Sequence, residues 1–428
     1  MNSINYYYLR PKKALDLKKI HNKQFVSRQD LKSYTFYDAV ILPLKNYNDN
    51  SVAWGRGGVV DSDGKYVEES ANDNLYYGNY PYESCEYSND TVVYCGYFRH
   101  HWGDFIVDCS TRLYYFLKNK DTDEIDNYVF FVENEGNTEV GGNFKEFFEL
   151  LGIWNKLLFI NTPMKFKKVI IPENSYSRNK RYYSKQYLDI FGKIRDEALK
   201  SDIKEKPKKV FLTRSGLPKS QKMEFGTDML DNFFKNNGYD IISPEKISLK
   251  EMINTLYYAQ KTACISGTLP HNMLFIGSRE LIIAERNCLN NIIQADINRM
   301  LDLKTTYIDV NITLYPVELA YGPFVFAFNN NLKKYADENG MRYCDDVYCS
   351  EKYKKHLFKK YILGYKTEHG LCLYMPDWMI ERSSVIFEAY NDGEEYFYDY
   401  LKGKKYYKVS QYFSINNAKR IIKKILRR

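Results

Sequence analysis

The sequence contains neither a CxxC pair nor a tight cluster of cysteines, although it has eight cysteines in 428 residues. A structural zinc site or a disulfide framework needs cysteines at close and regular spacing, so neither is predicted. Long hydrophobic runs are also missing, because no apolar stretch approaches the roughly 20 residues that span a bilayer. The opening MNSINYYYLRPKKALDLKK lacks the basic-then-apolar order of a signal peptide. We therefore expect a cytoplasmic protein in a reducing compartment.

A strong charge on the body of the chain is absent as well. The formal charge is +8 at pH 7, but six basic residues lie between Lys419 and Arg428, and without them the remainder carries only +2. A nearly neutral body argues against a nucleic-acid partner, since duplex-binding domains carry a basic face. The tail NAKRIIKKILRR alternates apolar and basic residues at helical spacing, which would suit an anionic membrane surface. The equal alternative is a final helix packed on the body.

The pattern of strands and helices predicts an α/β fold, and the length predicts two core-forming domains. Strand-like runs and helical stretches alternate over residues 1–200, which form the first predicted domain. A polar, lysine-rich linker, ALKSDIKEKPKK, follows. Repeated strand-helix units over 210–325 predict a parallel sheet with helices on both faces. Residues 326–428 show no repeat and are assigned to a C-terminal extension.

Polar residues end several strands of the second predicted domain. Arg214 ends the first strand and Ser266-Gly267-Thr268 ends the third. Because the carboxyl ends of parallel strands meet at one edge, these residues should line one crevice. The hydroxyls, the glycine and the amides of the following helix would suit a phosphate, and Arg214 could neutralise a diphosphate. Taken singly, each has an ordinary explanation, as a steric turn or an ion pair.

Three further polar residues belong to the same predicted edge. The helix after the turn carries His271 and Asn272, and Glu285 ends the fourth strand. A carboxylate at such a strand end can accept hydrogen bonds from ribose hydroxyls. Pairing of Glu285 with the neighbouring Arg286 is the equal structural alternative.

The stretch RHHWGDFIVDCSTR, residues 99–112, concentrates titratable side chains behind a buried strand at 91–98. In a helix, its polar residues would form one stripe: His101, Asp104, Asp108 and Arg112. The helix follows the strand directly, so its first turn should face the cleft between the domains, where a carboxylate or imidazole can act as a general base. His100 and Arg112 are expected to border the same cleft. A solvated helix face is the alternative.

The order of these segments resembles glycosyltransferase family 61, in particular its bacterial capsular polysaccharide branch. The resemblance covers about residues 91–325 and rests on these segments: HHWGDFIVDCSTRLYYFL, VFLTR, PEKISLKEMINTLYYAQ, ISGTLPHNMLF and IIAER. It implies a GT-B architecture of two Rossmann-like domains facing across a cleft, with a nucleotide-sugar donor in the C-terminal one. It also implies inverting transfer that needs no metal.

Individual positions carry the resemblance. The family's Gly-His-Phe helix motif is matched at Gly103, Asp108 and Arg112. The family's donor-strand arginine and its Gly-x-x-x-x-Asn turn are matched at Arg214, Gly267 and Asn272. Asp104 and Ser266 depart from the family, which usually has histidine at both places.

The expected function is therefore an inverting, metal-independent glycosyltransferase that moves a hexosyl or pentosyl group to a glycan hydroxyl, in capsular or other cell-surface polysaccharide synthesis. Asp104, Asp108 and His101 remain open as the base, while Arg214, Ser266 and Thr268 would hold the diphosphate. A non-catalytic glycan- or nucleotide-binding protein is the alternative, since the two departures would also mark a lost activity. VVDSDG offers the Asp-x-Asp of a metal-dependent transferase, but a hairpin turn is favoured there.

Overall fold

The computed structural model describes residues 4–46, 53–72, 75–119, 124–201, 206–312 and 322–369. Its helices and strands alternate in a mixed α/β fold, which confirms the α/β part of the predicted fold class. The strands are as follows: β1 (Asn5–Tyr8), β2 (Val26–Arg28), β3 (Ser33–Lys45), β4 (Arg56–Val60), β5 (Glu86–Tyr97), β6 (Asn127–Phe131), β7 (Leu157–Ile160), β8 (Met164–Pro172), β9 (Tyr176–Ser177), β10 (Tyr182–Ser184), β11 (Lys209–Leu212), β12 (Glu224–Phe225), β13 (Asp240–Ile242), β14 (Lys261–Ile265), β15 (Glu280–Glu285), β16 (Lys304–Asp309) and β17 (Phe324–Val325).

Helices connect most of these strands. The α-helices are as follows: α1 (Pro11–Asn22), α2 (Trp102–Asp104), α3 (Tyr114–Asn119), α4 (Gly142–Leu151), α5 (Lys185–Ala198), α6 (Pro218–Met223), α7 (Thr227–Asn236), α8 (Leu249–Tyr258), α9 (Ile292–Met300), α10 (Asn330–Glu338), α11 (Asp346–Cys349) and α12 (Glu351–His369). Shorter turns of 3₁₀-helix and one π-helical turn complete the set: Glu68–Ser70, Trp154–Lys156, Pro244–Lys246 and Leu269–Phe275 are 3₁₀, and Phe105–Cys109 is π.

The parallel sheet, as we call it, has the order β13-β11-β14-β15-β16-β1 among the described strands. All of its neighbouring strands pair in parallel. The apolar runs of β11, β14 and β15 are buried, as expected for strands covered on both faces. The strand order reverses beside β11, because β13 lies on one side of it and β14 on the other. A crevice is expected outside the carboxyl ends of β11 and β14, at this switch point.

The mixed sheet, as we call it, has the order β4-β3-β8-β5-β6-β7 among the described strands. β5 pairs in parallel with β6 and β8, whereas β3 pairs antiparallel with β4 and β8. The loop between β4 and the bridge at Tyr66 is a hairpin turn in which Asp61 accepts backbone hydrogen bonds from Asp63 and Lys65. The prediction that VVDSDG forms a hairpin is confirmed.

The two sheets share a continuous aromatic core. Phe275, after β14, lies 5.2 Å from Phe191 of α5 and 6.1 Å from Phe147 of α4, measured between ring centroids. Trp102 stacks on the same ring at 6.4 Å. Burial of these rings holds the start of α2 against the turn that follows β14.

The beginning of the chain belongs to the parallel sheet. β1 pairs with β16, and α1 packs on α9. The range 1–200, predicted as one domain, therefore does not coincide with one sheet. The sequence of a four-residue strand does not indicate which strand it pairs with. Here the partner strand lies about 300 residues further along the chain.

The described part of the C-terminal extension also packs on the parallel sheet. α10 contacts β16 and β1. No helix among the described residues is long and apolar enough to cross a membrane. The basic segment 419–428, predicted as an amphipathic helix, lies outside the described residues.

Candidate functional site

The start of α2 touches the turn after β14. A Cβ atom placed on Gly103 would lie 2.7 Å from Oγ1 of Thr268, so only glycine permits this approach. The indole nitrogen of Trp102 donates to Oδ1 of Asn272 at 2.9 Å. Four residues from the two segments that the sequence singled out are thus brought into contact, and they join the edges of the two sheets.

His101 and Asp104 form a pair at this junction. His101 Nδ1 lies 3.1 Å from Asp104 Oδ2, and Arg99 Nη1 lies 2.8 Å from the same oxygen. The backbone N–H of Asp104 is farther from His101 Nδ1, at 3.4 Å, so we assign the Nδ1 proton to the carboxylate contact. The His101 side chain is 59% exposed, which leaves Nε2 as an acceptor that a substrate can reach.

The electrostatics keep Asp104 ionised. Burial raises the pKa of Asp104, but the hydrogen bond from His101 and the positive charges of Arg99 and Arg178 outweigh it, so the pKa lies below its usual value. An ionised Asp104 cannot give up a proton and already accepts from two partners. The geometry therefore suits Asp104 to orienting His101.

Asp108 lies deeper in the fold than the predicted stripe requires. It is 4% exposed, and its Oδ1 lies 3.6 Å from Nε of Arg178. The helix widens at Phe105–Cys109, where the Ser110 N–H bonds to the carbonyl of Phe105, five residues earlier. This π-helical turn breaks the 3.6-residue spacing, so the single polar stripe is not formed.

Arg112 is a buried structural residue, which corrects its placement at the cleft. It is 1% exposed. Its Nε donates to the carbonyl of Pro172 at 2.9 Å, and its Nη2 donates to those of Glu69 and Ala71, both at 3.0 Å. Arg112 therefore ties the 68–71 turn to the end of β8.

His100 points away from the pair formed by its neighbour. Its Nε2 lies 3.0 Å from the carbonyl oxygen of Glu139, and its ring packs on Phe98 and Phe144. These contacts place His100 on the α4 side, and its expected role at the cleft gains no support.

Arg214 lies at the switch point, as the sequence predicts, but it shares the carboxylate of Glu224 with Arg286. Its Nε donates to both oxygens of Glu224, at 2.9 and 3.1 Å. Arg286 Nη1 lies 3.6 Å from the same carboxylate. Burial lowers the pKa of Arg286 to about 10, although Glu224 raises it, so Arg286 stays charged at neutral pH. Two guanidinium groups and one carboxylate leave one net positive charge.

The turn after β14 is shaped around Arg286. Gly267 has φ of +123°, and a Cβ atom there would lie 3.1 to 3.3 Å from three atoms of the guanidinium. The Phe324 ring lies 4.6 Å from the same guanidinium carbon. Ser266 Oγ accepts the backbone N–H of Arg286 at 3.0 Å, so this hydroxyl fixes the turn. The guanidinium is therefore held between a glycine and an aromatic ring at the carboxyl edge of the parallel sheet.

Glu285 pairs with a residue that the sequence did not suggest. Lys13 Nζ lies 2.6 Å from Glu285 Oε2, and the Lys13 side chain is fully buried. Burial raises the pKa of Glu285, and Lys13 opposes this effect. The ammonium group of Lys13, on α1, is therefore an ion-pair partner of Glu285 that the sequence did not predict.

His271 is buried behind the turn in a chain of hydrogen bonds. Its Nδ1 donates to Gln294 Oε1 at 2.8 Å, and Gln294 in turn donates to Asn298. Burial lowers the pKa of His271 to about 4, so it is neutral. The helix that carries it is a short 3₁₀-helix with Pro270 near its start, which removes one of the amides expected to face a phosphate.

Sequence reasoning missed four residues of the site: Arg99, Arg178, Glu224 and Arg286. Arg286 follows a strand that the sequence identified, so its place at the edge was a usable signal. The others come from distant segments with no common pattern. Among the described residues, no group of three or more His, Cys, Asp or Glu side chains could hold a metal ion.

No protein-family model matches this sequence, and no curated protein matches it either. The resemblance to glycosyltransferase family 61 therefore stays a prediction.

Proposed function

We propose that this protein is an inverting glycosyltransferase that moves a sugar from a nucleotide-sugar donor to a glycan hydroxyl, with no required metal, in the synthesis of capsular or other cell-surface polysaccharide. One observation carries the proposal. The Gly103–Thr268 contact sets the exposed His101 and its partner Asp104 beside the switch point of the parallel sheet, where Arg214 and Arg286 supply positive charge.

The donor diphosphate would bind in the crevice outside β11 and β14. Switch points are where parallel α/β sheets bind nucleotides. Arg214 is 17% exposed in its side chain and can turn one edge of its guanidinium to a phosphate while it keeps Glu224 on the other. Arg286, whose guanidinium packs against Gly267 in the turn after β14, adds a second positive charge. These cations would stabilise the negative charge that develops on the leaving diphosphate.

His101 would act as the base. The acceptor oxygen attacks the anomeric carbon as the bond to the diphosphate breaks, and the hydroxyl proton passes to Nε2 of His101. Asp104 holds the imidazole through Nδ1 and stabilises the imidazolium that forms. Asp108 is buried too deeply to reach an acceptor, so we leave it out of this step.

In this proposal the two sheets are the two halves of a GT-B-like arrangement. The parallel sheet takes the nucleotide, and the mixed sheet supplies the acceptor side. The His101–Asp104 pair follows β5 of the mixed sheet, while the arginines follow β11 and β15 of the parallel sheet.

Calorimetric titration with UDP, CDP and GDP, with and without EDTA, tests the donor site. We expect one nucleotide to bind, with an affinity that EDTA does not change. Arg214→Ala should weaken it about 10- to 100-fold, the effect of losing a hydrogen bond to a charged group. Arg286 keeps Glu224 paired in this variant, so folding should survive, and the melting temperature checks this.

Arg279→Ala is the matched control, since Arg279 is an exposed arginine at the opposite end of the same sheet. If no nucleotide binds, the proposed function is wrong. If a nucleotide binds but a panel of nucleotide sugars gives neither hydrolysis nor transfer, the non-catalytic binding protein takes its place.

A further inference from the structure

A second cavity lies at the mixed sheet, apart from the nucleotide crevice. Its volume is about 510 Å³, within the range of small-molecule sites. It opens at the carboxyl ends of β5 and β6, and its wall includes these side chains: Lys45, Trp54, Tyr97, Arg99, Glu133 and Asn134.

Backbone hydrogen bonds hold the wall of this cavity in place. Leu44 donates to Val132 at 2.8 Å, and Asn134 donates back to Leu44 at 2.7 Å. Trp54 donates to Leu75 at 2.7 Å. These bonds fix the ends of β3 and β6 against each other, so the cavity exists before any ligand arrives.

The wall combines rings with both kinds of hydrogen-bonding group. Trp54 packs against Tyr97, with ring centroids 5.3 Å apart, and the Arg99 guanidinium lies 4.8 Å from the indole. The Tyr97 hydroxyl donates to the Glu133 carboxylate. Burial raises the pKa of Tyr97, so this hydroxyl keeps its proton and Glu133 remains the acceptor. Glu133 has further lone pairs for a ligand's hydroxyls.

This chemistry fits a neutral, hydroxyl-rich ring. The apolar C–H face of a pyranose can cover an aromatic ring, while its hydroxyls donate to a carboxylate and accept from a guanidinium or an amide. The charges nearly cancel, because Arg99 is matched by Asp104 and Glu133 is opposed by Lys45 on the same wall. A polyanion would meet no excess of positive charge here.

Arg99 connects the cavity to the proposed base. It lies on the cavity wall, and its Nη1 contacts the same oxygen of Asp104 as His101 does. We propose that this cavity binds a neutral pyranose ring of the acceptor and presents its hydroxyl to His101, an inference that rests on the proposed function. Trp54 and Glu133 are then binding residues for the acceptor.

Saturation-transfer NMR without any nucleotide tests the cavity directly. The probes are methyl β-D-glucopyranoside, methyl β-D-galactopyranoside and methyl N-acetyl-β-D-glucosaminide. At least one should give a signal with the wild-type protein. Trp54→Ala should reduce that signal about tenfold or more. Glu133→Gln is a milder change that should also reduce the signal, and it tests the cavity if Trp54→Ala does not fold.

Tyr87→Ala is the control, because Tyr87 is a 50% exposed aromatic residue near the other end of β5. It should leave the signal unchanged. The inference is overturned if none of the three glycosides binds, or if both cavity variants match the wild type. Trp54→Ala must still bind the nucleotide. Nucleotide binding without glycoside binding would refute the acceptor cavity alone. Glycoside binding without nucleotide binding would refute the proposed transferase function.

Discussion

At the scale of single residues, an arginine and a histidine meet one carboxylate oxygen. Arg99 and His101 both contact Oδ2 of Asp104, while His101 keeps most of its side chain in solvent. Oδ2 of the aspartate therefore has two partners, while the imidazole remains open to solvent. In the proposed mechanism this asymmetry assigns the roles: the exposed imidazole would accept the proton, and the half-buried carboxylate would set its tautomer.

We predict that His101→Ala lowers turnover about 100- to 10,000-fold, since general-base catalysis contributes this much. Asp104→Asn should lower it as well, because the amide cannot stabilise an imidazolium. Nucleotide affinity should stay close to that of the wild type in both variants. Steady-state kinetics and calorimetry together measure this separation.

His100→Ala is the matched control, because the adjacent histidine contacts the carbonyl of Glu139 instead. Turnover near the wild-type rate in this variant is expected. Full activity in His101→Ala would remove His101 as the base and reopen the choice among the carboxylates.

At the scale of elements, the junction of the sheets depends on a glycine facing a threonine. α2 has only three residues, and the helix then widens into the π turn at Phe105–Cys109. The turn directs Asp108 inward and leaves the first residues of α2 against Thr268. Such π turns often occur at functional sites.

We predict that Gly103→Ala destabilises the protein by about 1 to 3 kcal/mol, because the added methyl group overlaps Oγ1 and Cγ2 of Thr268. Denaturant unfolding measures the loss. In the double variant Gly103→Ala/Thr268→Ala both overlapping atoms are gone, so much of the stability should return.

Gly141→Ala provides the comparison, since a Cβ atom there meets nothing within 4 Å and the backbone is extended. It should change stability little. Additive losses in the double variant would show that the two residues do not press on each other.

At the scale of the whole molecule, residues 4–22 pack on the parallel sheet. β1 extends its edge, and α1 inserts the ammonium group of Lys13 beside Glu285. Arg10 adds a contact of 2.8 Å to Asp309. These ion pairs are almost fully buried, so the loss of one member leaves an uncompensated charge.

We predict that Lys13→Met destabilises the protein by about 3 to 5 kcal/mol near neutral pH. Glu285 would then be buried without its cation, and its folded-state pKa, already raised, would rise further. When folding raises the pKa of a carboxyl group, the folded protein loses stability as the pH increases up to that pKa, because the unfolded chain ionises more easily. The deficit should therefore be larger at about pH 8 than at about pH 5.

Lys19→Met is the control on the same helix, because Lys19 is 64% exposed and pairs with Asp16 in an exposed i,i+3 contact. Unfolding curves at both pH values should match the wild type. A deficit in Lys13→Met that does not depend on pH would contradict the charge explanation.

The sequence determined what local patterns can specify. The apolar runs of β11, β14 and β15 and the strand-helix alternation required a parallel sheet, and the place of Arg214 and Ser266–Thr268 at its carboxyl edge followed from that. Hydrophobic periodicity is a short-range property, so it can be recognised in the sequence without knowledge of the rest of the fold.

Only the tertiary structure decided which polar residues meet. The π turn separated Asp108 and Arg112 from His101 and Asp104. β1 paired with β16, about 300 residues away, and Glu285 gained Lys13 as a buried ion-pair partner. A buried charge must find a counter-charge, and the counter-charge comes from whichever segment the global packing brings within reach. That choice is set by long-range packing, which no local pattern of residues encodes.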